Sequence, residues 1–406
     1  MIESVLLATP RFPPDTGGVE QYVLNLGREL VRRAGLRVVI VATAPSVGRS
    51  GGNARLVDRD SVAGLSIYRL ARDYTISNTP VGVGWARQLR GIIRAERVDL
   101  VNAHAPVPVL ADLAARACGR IPFVLSYHNA SMRKGRWLPD LAIGAYERFV
   151  LPRTARRADR VVCSSDFVAR HFAAEFGDKA VTIPPGADLD LFTPAPLPTG
   201  EPRILFVASL HRSTSYKGLS DLLMAVADLR RRGRPVHLDV AGDGDDQARY
   251  ADEARTLGVA EAVRFRGRLA DTDLVRAYHE ATLVALPTYY DSFPTVLVEA
   301  MACARPVVST PVGGIPTLIE DGVTGLLGRP GDVPGLVDRL DRVLTDRELA
   351  ERLAWAGREK VAEELSWEHQ AARTIEVYAA AQRVRRQAAP SGTFAARAGS
   401  YGDPAP

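Results

Sequence analysis

Short apolar runs alternate with amphipathic stretches along most of this chain, and that alternation limits the folds that it can adopt. Such a pattern is typical of βα units whose strands form parallel sheets. In the first half, Val19, Tyr22 and Leu26 recur at helical spacing before Gly35, where a helix end is expected. The strands predicted around this helix are 5–8, 38–43, 100–103, 123–127 and 161–164.

The same pattern returns after a proline-rich stretch at 184–202. It predicts strands at 204–208, 237–241, 263–266, 284–287 and 306–309, and helices near 219–232, 246–257, 294–303 and 333–344. The sequence therefore predicts an α/β fold with two Rossmann-like, doubly wound parallel-sheet domains, 1–195 and 200–366, facing across a cleft. Helical spacing resumes at 367–386, and 387–406, rich in Ala, Pro, Gly and Ser, is predicted to be a disordered tail.

Composition narrows the setting in which the chain works. No apolar run approaches the roughly 18 residues that span a bilayer, and Glu3 with its short apolar run does not suit a signal peptide. Cys118, Cys163 and Cys303 lack paired or metal-binding spacing, which favours a reducing compartment. Residues 1–200 hold 26 Lys and Arg against 18 Asp and Glu, a net +8, and the remainder holds 26 against 29, a net −3. We expect a cytoplasmic protein whose first half attracts anionic partners.

A basic, partly aromatic band supports that expectation. It comprises Arg133, Lys134, Arg136, Trp137, Arg148, Arg153, Arg156, Arg157 and Arg160. A solvated helix face explains the band as well as a surface that associates peripherally with anionic lipid at the inner face of the plasma membrane. No nucleic-acid module accompanies it, so we do not expect nucleic acid as a partner.

The strongest polar cluster follows the fourth predicted strand of the second domain. Asp291 or Ser292 is expected to cap a helix with Pro294 in its first turn, leaving nearby amides free to bind phosphate or sugar hydroxyls. Glu299 interrupts the apolar face of that helix, where a carboxylate needs a partner such as a ribose diol. Lys217, after the first strand of the same domain, is a cation suited to a diphosphate. Both side chains are expected to line the cleft.

Two further groups follow strands of the first domain. Gly17 and Gly18 stand between the first strand and helix, where backbone amides can approach an anion, although a glycine pair is more often an ordinary turn. His104 and His128 each follow a strand, and two histidines at one sheet edge favour a polar active site. They lack zinc spacing and a third ligand, so no metal site is expected.

These motifs, in this order, resemble the retaining glycosyltransferases of GT-B fold in the group 1, family 4-like class, over nearly the whole chain. The resemblance rests on segments 17–20 (GGVE), 126–128 (SYH), 158–165 (ADRVVCSS), 183–188 (IPPGAD), 217–218 (KG), 242–244 (GDG) and 291–302 (DSFPTVLVEAMA). It implies transfer of a hexose-type sugar from a nucleotide-diphosphate sugar to a glycan, lipid-linked or small-molecule acceptor, in cell-envelope or polysaccharide biosynthesis. Neither a metal nor another cofactor is implied.

The resemblance also implies roles for individual residues. The donor-binding set is Gly17, Gly18, Arg212, Lys217, Phe293, Pro294, Thr295 and Glu299. In this set Glu299 holds the ribose and Lys217 the diphosphate. His128 and Asp291 are the catalytic candidates, with His128 near the reacting carbon. Transfer is expected to retain configuration through an oxocarbenium-like, front-face step, and the helix at 367–386 is expected to cross back onto the first domain.

The chain departs from the family pattern at two positions. Asp291 stands where the first acid is usually glutamate, so its side chain is one methylene shorter. Ser209 stands where an arginine usually helps to bind the diphosphate. Arg212, in the loop at 211–216, is the candidate substitute.

Two other functions stay open at this point. A nucleotide-sugar 2-epimerase of GT-B fold would keep the nucleotide site and need no acceptor. A degenerate, non-catalytic member could serve as a scaffold of a glycan-assembly complex, as the change at Ser209 suggests. An oxidoreductase fits least, because no strand carries the full dinucleotide fingerprint.

Overall fold

Two α/β units make up the part of the chain that the computed structural model describes, namely residues 2–15, 17–44, 58–62, 64–76, 79–130 and 137–388. The strands are β1 (Ser4–Ala8), β2 (Arg37–Thr43), β3 (Asp58–Val62), β4 (Leu65–Leu70), β5 (Tyr74–Ile76), β6 (Thr79–Val81), β7 (Leu100–Ala105), β8 (Phe123–Tyr127), β9 (Arg160–Cys163), β10 (Ala180–Thr182), β11 (Arg203–Val207), β12 (His237–Ala241), β13 (Val263–Gly267), β14 (Leu283–Leu286), β15 (Val307–Ser309) and β16 (Leu326–Leu327).

Helices alternate with these strands. They are α1 (Gly18–Ala34), α2 (Trp85–Ala95), α3 (Leu110–Ala117), α4 (Trp137–Phe149), α5 (Leu151–Arg157), α6 (Asp166–His171), α7 (Ala173–Phe176), α8 (Leu219–Arg231), α9 (Gln247–Thr256), α10 (Asp271–Glu280), α11 (Thr295–Ala302), α12 (Ile315–Leu318), α13 (Val333–Thr345), α14 (Arg347–Glu364) and α15 (Trp367–Gln387). Short 3₁₀ helices cover Gly177–Lys179, Arg212–Lys217 and Ala260–Ala262.

The two large sheets have the predicted parallel architecture. The first has the order β10-β9-β8-β7-β1-β2-β4-β3, and every pair in it is parallel except β3 with β4. The second has the order β13-β12-β11-β14-β15-β16, the doubly wound arrangement of a Rossmann fold, with all its pairs parallel. Strand order reverses between β11 and β14, and in such sheets this switch point is where ligands bind.

Helices cover both faces of the first sheet, which explains why its strands are almost continuously buried. One face packs against α2, α3 and α5, and the other packs against α1 and α15. Trp367, Ala371 and Tyr378 of α15 lie in the same core as Val5 and Ile40. Helix α15, the last one among the described residues, therefore covers the first sheet. The predicted tail at 387–406 falls outside the described residues after Ala388.

The segment that joins the two units packs on the second one. Phe192 and Leu197 belong to the core of the second sheet. Arg305, which is fully buried, donates to the carbonyls of Ala195 and Pro196. Burial lowers the pKa of Arg305 to about 10, because a desolvated guanidinium is less stable when charged. The predicted domain boundary at 195–200 therefore falls in a chain segment that is fixed to the second unit.

Candidate active site

Lys217 and Asp291 meet at the switch point of the second sheet. Lys217 ends the 3₁₀ helix that follows β11, and Asp291 lies in the loop that follows β14. Since β11 and β14 are neighbouring parallel strands, their carboxyl ends lie side by side. Lys217 Nζ lies 2.5 Å from Asp291 Oδ2, so the structure joins two of the predicted site residues in a close ion pair.

Both side chains of this pair are largely covered. The Lys217 side chain is 22% exposed and that of Asp291 is 10% exposed. Burial is the largest single influence on the pKa of Lys217 and would lower it, but the Asp291 carboxylate together with Tyr216 and Tyr290 raises that pKa above the ordinary value of 10.5. The ammonium group therefore stays charged at neutral pH. That Lys217 lines the cleft stays a prediction.

The loop after β14 differs from its prediction. The helix α11 begins at Thr295 with Pro294 as its N-cap, and no side chain provides a capping hydrogen bond there. The prediction that Asp291 or Ser292 caps this helix is therefore wrong. Asp291 Oδ1 instead accepts a hydrogen bond of 3.2 Å from the amide of Phe293, which is consequently not a free donor. The Phe293 side chain packs in the core of the second sheet.

Gly313 packs directly against the backbone of Asp291. Its φ is +58°, in the left-handed region that glycine adopts without strain. A Cβ at this position would lie 1.7 Å from the carbonyl oxygen of Asp291, and the amide of Gly314 donates to that oxygen. The loop that carries Asp291 is thus pressed directly against another backbone segment.

Glu299 lies on α11, partly buried. Its Oε2 accepts a hydrogen bond of 2.9 Å from the hydroxyl of Tyr278. Burial raises the pKa of Glu299 to about 7, and the Tyr278 hydrogen bond acts in the opposite direction. Near neutral pH this carboxyl group is therefore close to half-ionised, and a hydrogen-bonding ligand could complete its solvation.

Arg212 does not join Lys217 in the contacts that the structure gives. Its side chain is 84% exposed and its Nε lies 3.6 Å from Asp246 Oδ1, while its amide donates to Asp245. The idea that Arg212 supplies the second diphosphate cation stays a prediction. It requires the side chain to leave Asp246.

The glycine loop of the first domain lies at the start of α1. Gly17 is the N-cap, Gly18 is the first helical residue, and both are exposed. The Glu20 carboxylate folds back beside Gly17, and burial raises the pKa of Glu20 above its ordinary value. An acid near the first turn suits the positive end of the helix dipole. The loop is open to a ligand, but the Glu20 carboxylate already occupies part of its anion-binding face.

His128 and His104 form a pair at the ends of β7 and β8. His104 Nδ1 lies 2.9 Å from His128 Nε2, and Tyr22 of α1 packs edge-on against both rings. Burial lowers the pKa of His128 to about 4 and that of His104 far below its ordinary value. Both imidazoles are therefore neutral at neutral pH.

A set of hydrogen bonds connects the His128 loop with the Asp291 loop. The hydroxyl groups of Tyr290 and Ser292 lie 2.5 Å and 2.8 Å from Asn129 Oδ1, and the amide of Ala130 donates to Ser292 Oγ at 3.2 Å. These bonds link residues immediately after His128 to residues on either side of Asp291. No local pattern in the sequence indicates this connection, because the partners are more than 160 positions apart.

Other chemistry-bearing side chains are buried or dispersed. All three cysteines are free and buried, where a thiol packs as a small apolar side chain. Within the ranges that the structure describes, no three His, Cys, Asp or Glu side chains gather into a group that could hold a metal ion. No helix in those ranges is long and apolar enough to cross a bilayer. Arg133, Lys134 and Arg136 of the basic band fall outside the described residues.

Two doubly wound α/β units, with an ion pair at the switch point of the second sheet, give the two-domain architecture of the GT-B fold. Two family models match the chain, "Glycosyl transferases group 1" over residues 191–360 and "Glycosyltransferase Family 4" over residues 16–191. This protein belongs to the group 1 glycosyltransferases.

Individual proteins of this kind match over nearly their whole length. The D-inositol 3-phosphate glycosyltransferase of Nocardia farcinica is 31% identical over 90% of this chain and 85% of that protein. The GDP-mannose-dependent alpha-(1-6)-phosphatidylinositol monomannoside mannosyltransferase of Mycolicibacterium smegmatis is 30% identical over 94% of this chain and 100% of that protein. Anabaena Alr3699/HepE, solved in complex with UDP and glucose, superposes with a TM-score of 0.72 at 19% identity, covering 93% of this chain and 99% of the other.

Proposed function

We infer that this glycosyltransferase moves a hexose-type sugar from a nucleotide-diphosphate sugar to a hydroxyl group, with retention of configuration. The Lys217–Asp291 pair carries this inference, because it sets a charged ammonium beside a fixed carboxylate at the switch point of the second sheet. An ammonium group there can neutralise a diphosphate as it departs. The carboxylate beside it can accept hydrogen bonds from sugar hydroxyls.

Glu299 is the proposed partner of the donor ribose. Its partly buried carboxyl group has one fixed hydrogen bond, from Tyr278, and the remaining acceptor positions suit a vicinal diol. Among the related proteins, the mannosyltransferase uses GDP-mannose and the Anabaena protein binds UDP, so the family accommodates different bases. The base and the sugar of the present donor are therefore left to experiment.

Retention through a front-face step is consistent with the fixed state of Asp291. A double displacement needs a carboxylate free to attack the anomeric carbon. Here one oxygen of Asp291 pairs with Lys217 and the other accepts the Phe293 amide. These contacts favour a role in orienting the sugar, with the leaving phosphate assisting deprotonation of the acceptor.

Metal independence is proposed on the same cation. Lys217 and helix N-termini would supply positive charge that Mg²⁺ or Mn²⁺ otherwise provides. Transfer should therefore persist in excess chelator. Full dependence on an added divalent ion would refute this part of the proposal.

The acceptor is proposed to be a glycan, a lipid-linked intermediate or a small molecule, in cell-envelope or polysaccharide biosynthesis. We propose a cytoplasmic enzyme in peripheral contact with an anionic membrane, and α4 supports the contact, because its Leu141 and Phe149 are 67% and 60% exposed beside Arg148. Apolar and cationic side chains together suit an anionic interface. Co-sedimentation with vesicles that contain anionic phospholipid, and not with neutral ones, is the expected result.

The test begins with calorimetry against UDP, GDP, ADP and dTDP without metal, because a ligand that binds only the folded state must also stabilise it. Nucleotide sugars that contain the nucleotide that binds are then supplied with candidate acceptors. The anomeric configuration of the product is read by NMR. A product with inverted configuration would refute retention. An isomerised sugar with free nucleotide, formed without acceptor, would indicate an epimerase, and failure of every nucleotide to bind would favour the scaffold.

A further inference from the structure

The rings of His104 and His128 lie nearly in one plane and touch at their edges. The two nitrogens are 2.9 Å apart while the ring centroids are 5.2 Å apart, and the ring planes differ by only 8°. If the rings were stacked face to face, their nearest atoms would be separated by about the distance between the centroids. The two nitrogens are much closer than the centroids, so the rings meet edge to edge. This geometry is that of an in-plane N–H···N hydrogen bond, which needs one ring as donor and the other as acceptor.

The backbone of the two strands fixes this contact. His104 lies opposite Ser126 in the β7–β8 pairing, and the amide of His128 donates to the carbonyl of Ala105 at 3.1 Å. The Ser164 hydroxyl donates to the carbonyl of His128 at 2.9 Å. His104 is therefore held within β7, and the first residue after β8, His128, is fixed by hydrogen bonds to Ala105 and Ser164.

The surroundings of His104 assign the shared proton. His104 is almost fully buried, and its Nε2 has no hydrogen-bond partner among the described residues. If His104 carries its proton on Nδ1, the unpaired buried Nε2 is an acceptor. The other tautomer would instead bury an unpaired N–H donor, which native proteins avoid more strictly. His104 is consequently the donor and His128 Nε2 the acceptor.

This assignment determines what His128 can offer to a ligand. A neutral imidazole that accepts through Nε2 carries its proton on Nδ1. His128 is partly exposed, and its Nδ1 has no partner in the described contacts and is not among the buried polar atoms. His128 therefore presents an N–H donor to solvent from the loop that bonds to the residues flanking Asp291.

We propose that His104 is a positioning residue that fixes the orientation and the Nδ1–H tautomer of His128, so that His128 donates a hydrogen bond to an oxygen of the transferred sugar. The proposal rests on the function inferred above and assigns His104 no contact with substrate. Tyr22, itself buried, packs against both rings and against Trp367 of α15, so aromatic side chains cover one side of the pair. The neutral state of both rings is consistent with this arrangement.

Kinetics of His104→Leu and His104→Asn test the proposal. Leucine removes the donor, and asparagine restores an N–H group close to the position of Nδ1. We expect kcat to fall about tenfold in His104→Leu, the value of one hydrogen bond to the reacting complex, with the donor KM changed much less. His104→Asn should recover most of kcat. The matched control is His237→Leu, which should keep full activity. His237 begins β12, at the end of the second sheet opposite Lys217 and Asp291.

A double-mutant cycle separates positioning from a general loss of structure. If His104 acts only through His128, then adding His104→Leu to His128→Ala should cause no further loss of kcat. Full additivity of the two losses, or unchanged kcat in His104→Leu, would overturn the proposal. Melting temperatures identify any variant that fails to fold, and His104→Asn then carries the test.

Histidine NMR gives a readout that needs no substrate. Long-range ¹H–¹⁵N correlation spectra of the wild type at neutral pH should show His128 with its proton on Nδ1 and His104 also with its proton on Nδ1. His104→Leu should convert His128 to a mixture of tautomers. An Nε2–H tautomer of His128 in the wild type would refute the assignment even if sugar transfer is confirmed. The tautomer result stands equally if no donor is found, so the two failures are distinguishable.

Discussion

Replacing Lys217 by methionine removes one charge of a covered ion pair and leaves its partner. Exposed pairs contribute roughly 0.2–1 kcal/mol, whereas breaking a buried pair costs roughly 3–5 kcal/mol. With side chains 22% and 10% exposed, Lys217 and Asp291 lie between these limits and nearer the buried one. We expect Lys217→Met to lower the free energy of unfolding by about 2–3 kcal/mol, which corresponds to about 4–12 °C in the melting temperature of a domain of this size.

The effect on ligand binding separates the two members of the pair. Loss of a charge-assisted contact to a diphosphate should weaken nucleoside-diphosphate binding in Lys217→Met roughly 10–100-fold. Asp291→Asn should destabilise the fold in the same direction. It should nevertheless strengthen nucleoside-diphosphate binding, because the carboxylate that competes with phosphate for Lys217 is gone. Thermal unfolding and calorimetry with the nucleotide alone measure both quantities.

The matched control for these variants is Lys360→Met. Lys360 Nζ lies 3.8 Å from Glu364 on the surface of α14, an (i, i+4) pair expected to contribute no more than about 0.5 kcal/mol. Because the pKa of Lys217 is raised above 10.5, its stabilising effect should persist through neutral pH and be lost only as pH rises through that raised value. Unchanged melting and unchanged nucleotide affinity in Lys217→Met would refute the reasoning.

Three further changes test other parts of the molecule. Glu299 has a pKa of about 7 in the folded state, so the folded state binds its proton more tightly than the unfolded state does. Wild-type stability should therefore fall as pH rises from 4.5 to 7. This fall should be absent in Glu299→Gln. Gly313→Ala should cost about 1–3 kcal/mol more than Gly35→Ala, because both glycines have φ near +60° but only at Gly313 would the added Cβ overlap neighbouring backbone atoms. Arg305→Met should leave several buried carbonyls unpaired, lower the unfolding free energy by at least about 3 kcal/mol, and expose the linker to proteolysis.

Each of these expectations has an outcome that would contradict it. Equal pH dependence of the wild type and Glu299→Gln would mean that the carboxyl is solvated. Equal costs at Gly313 and Gly35 would mean that the Asp291 loop yields without strain. An unchanged urea midpoint and digestion rate in Arg305→Met would mean that the linker does not depend on the buried guanidinium.

The prediction of strands and helices from the sequence succeeded where local pattern decides structure. Predicted strands such as 123–127 and 237–241 match β8 and β12, and Gly35 is the left-handed C-cap of α1. Other elements were not predicted, among them the antiparallel β3–β4 pair and α14, although α14 is rich in helix-forming residues. The cap at Asp291 was wrong because that carboxylate has a stronger partner, Lys217, 74 positions away.

By itself, the sequence determined the α/β class, the repetition of the fold in two halves, the family resemblance and the candidate residues. These depend on period, composition and motif order, which can be seen along the chain. Only the tertiary structure decided that Lys217 pairs with Asp291, that His104 holds His128, and that Arg212 turns to Asp246. Strand order brings distant loops to one sheet edge. Burial at that edge then decides which charged groups pair and which nitrogen of a histidine carries the proton, because an unpaired polar group is costly only where water cannot reach it.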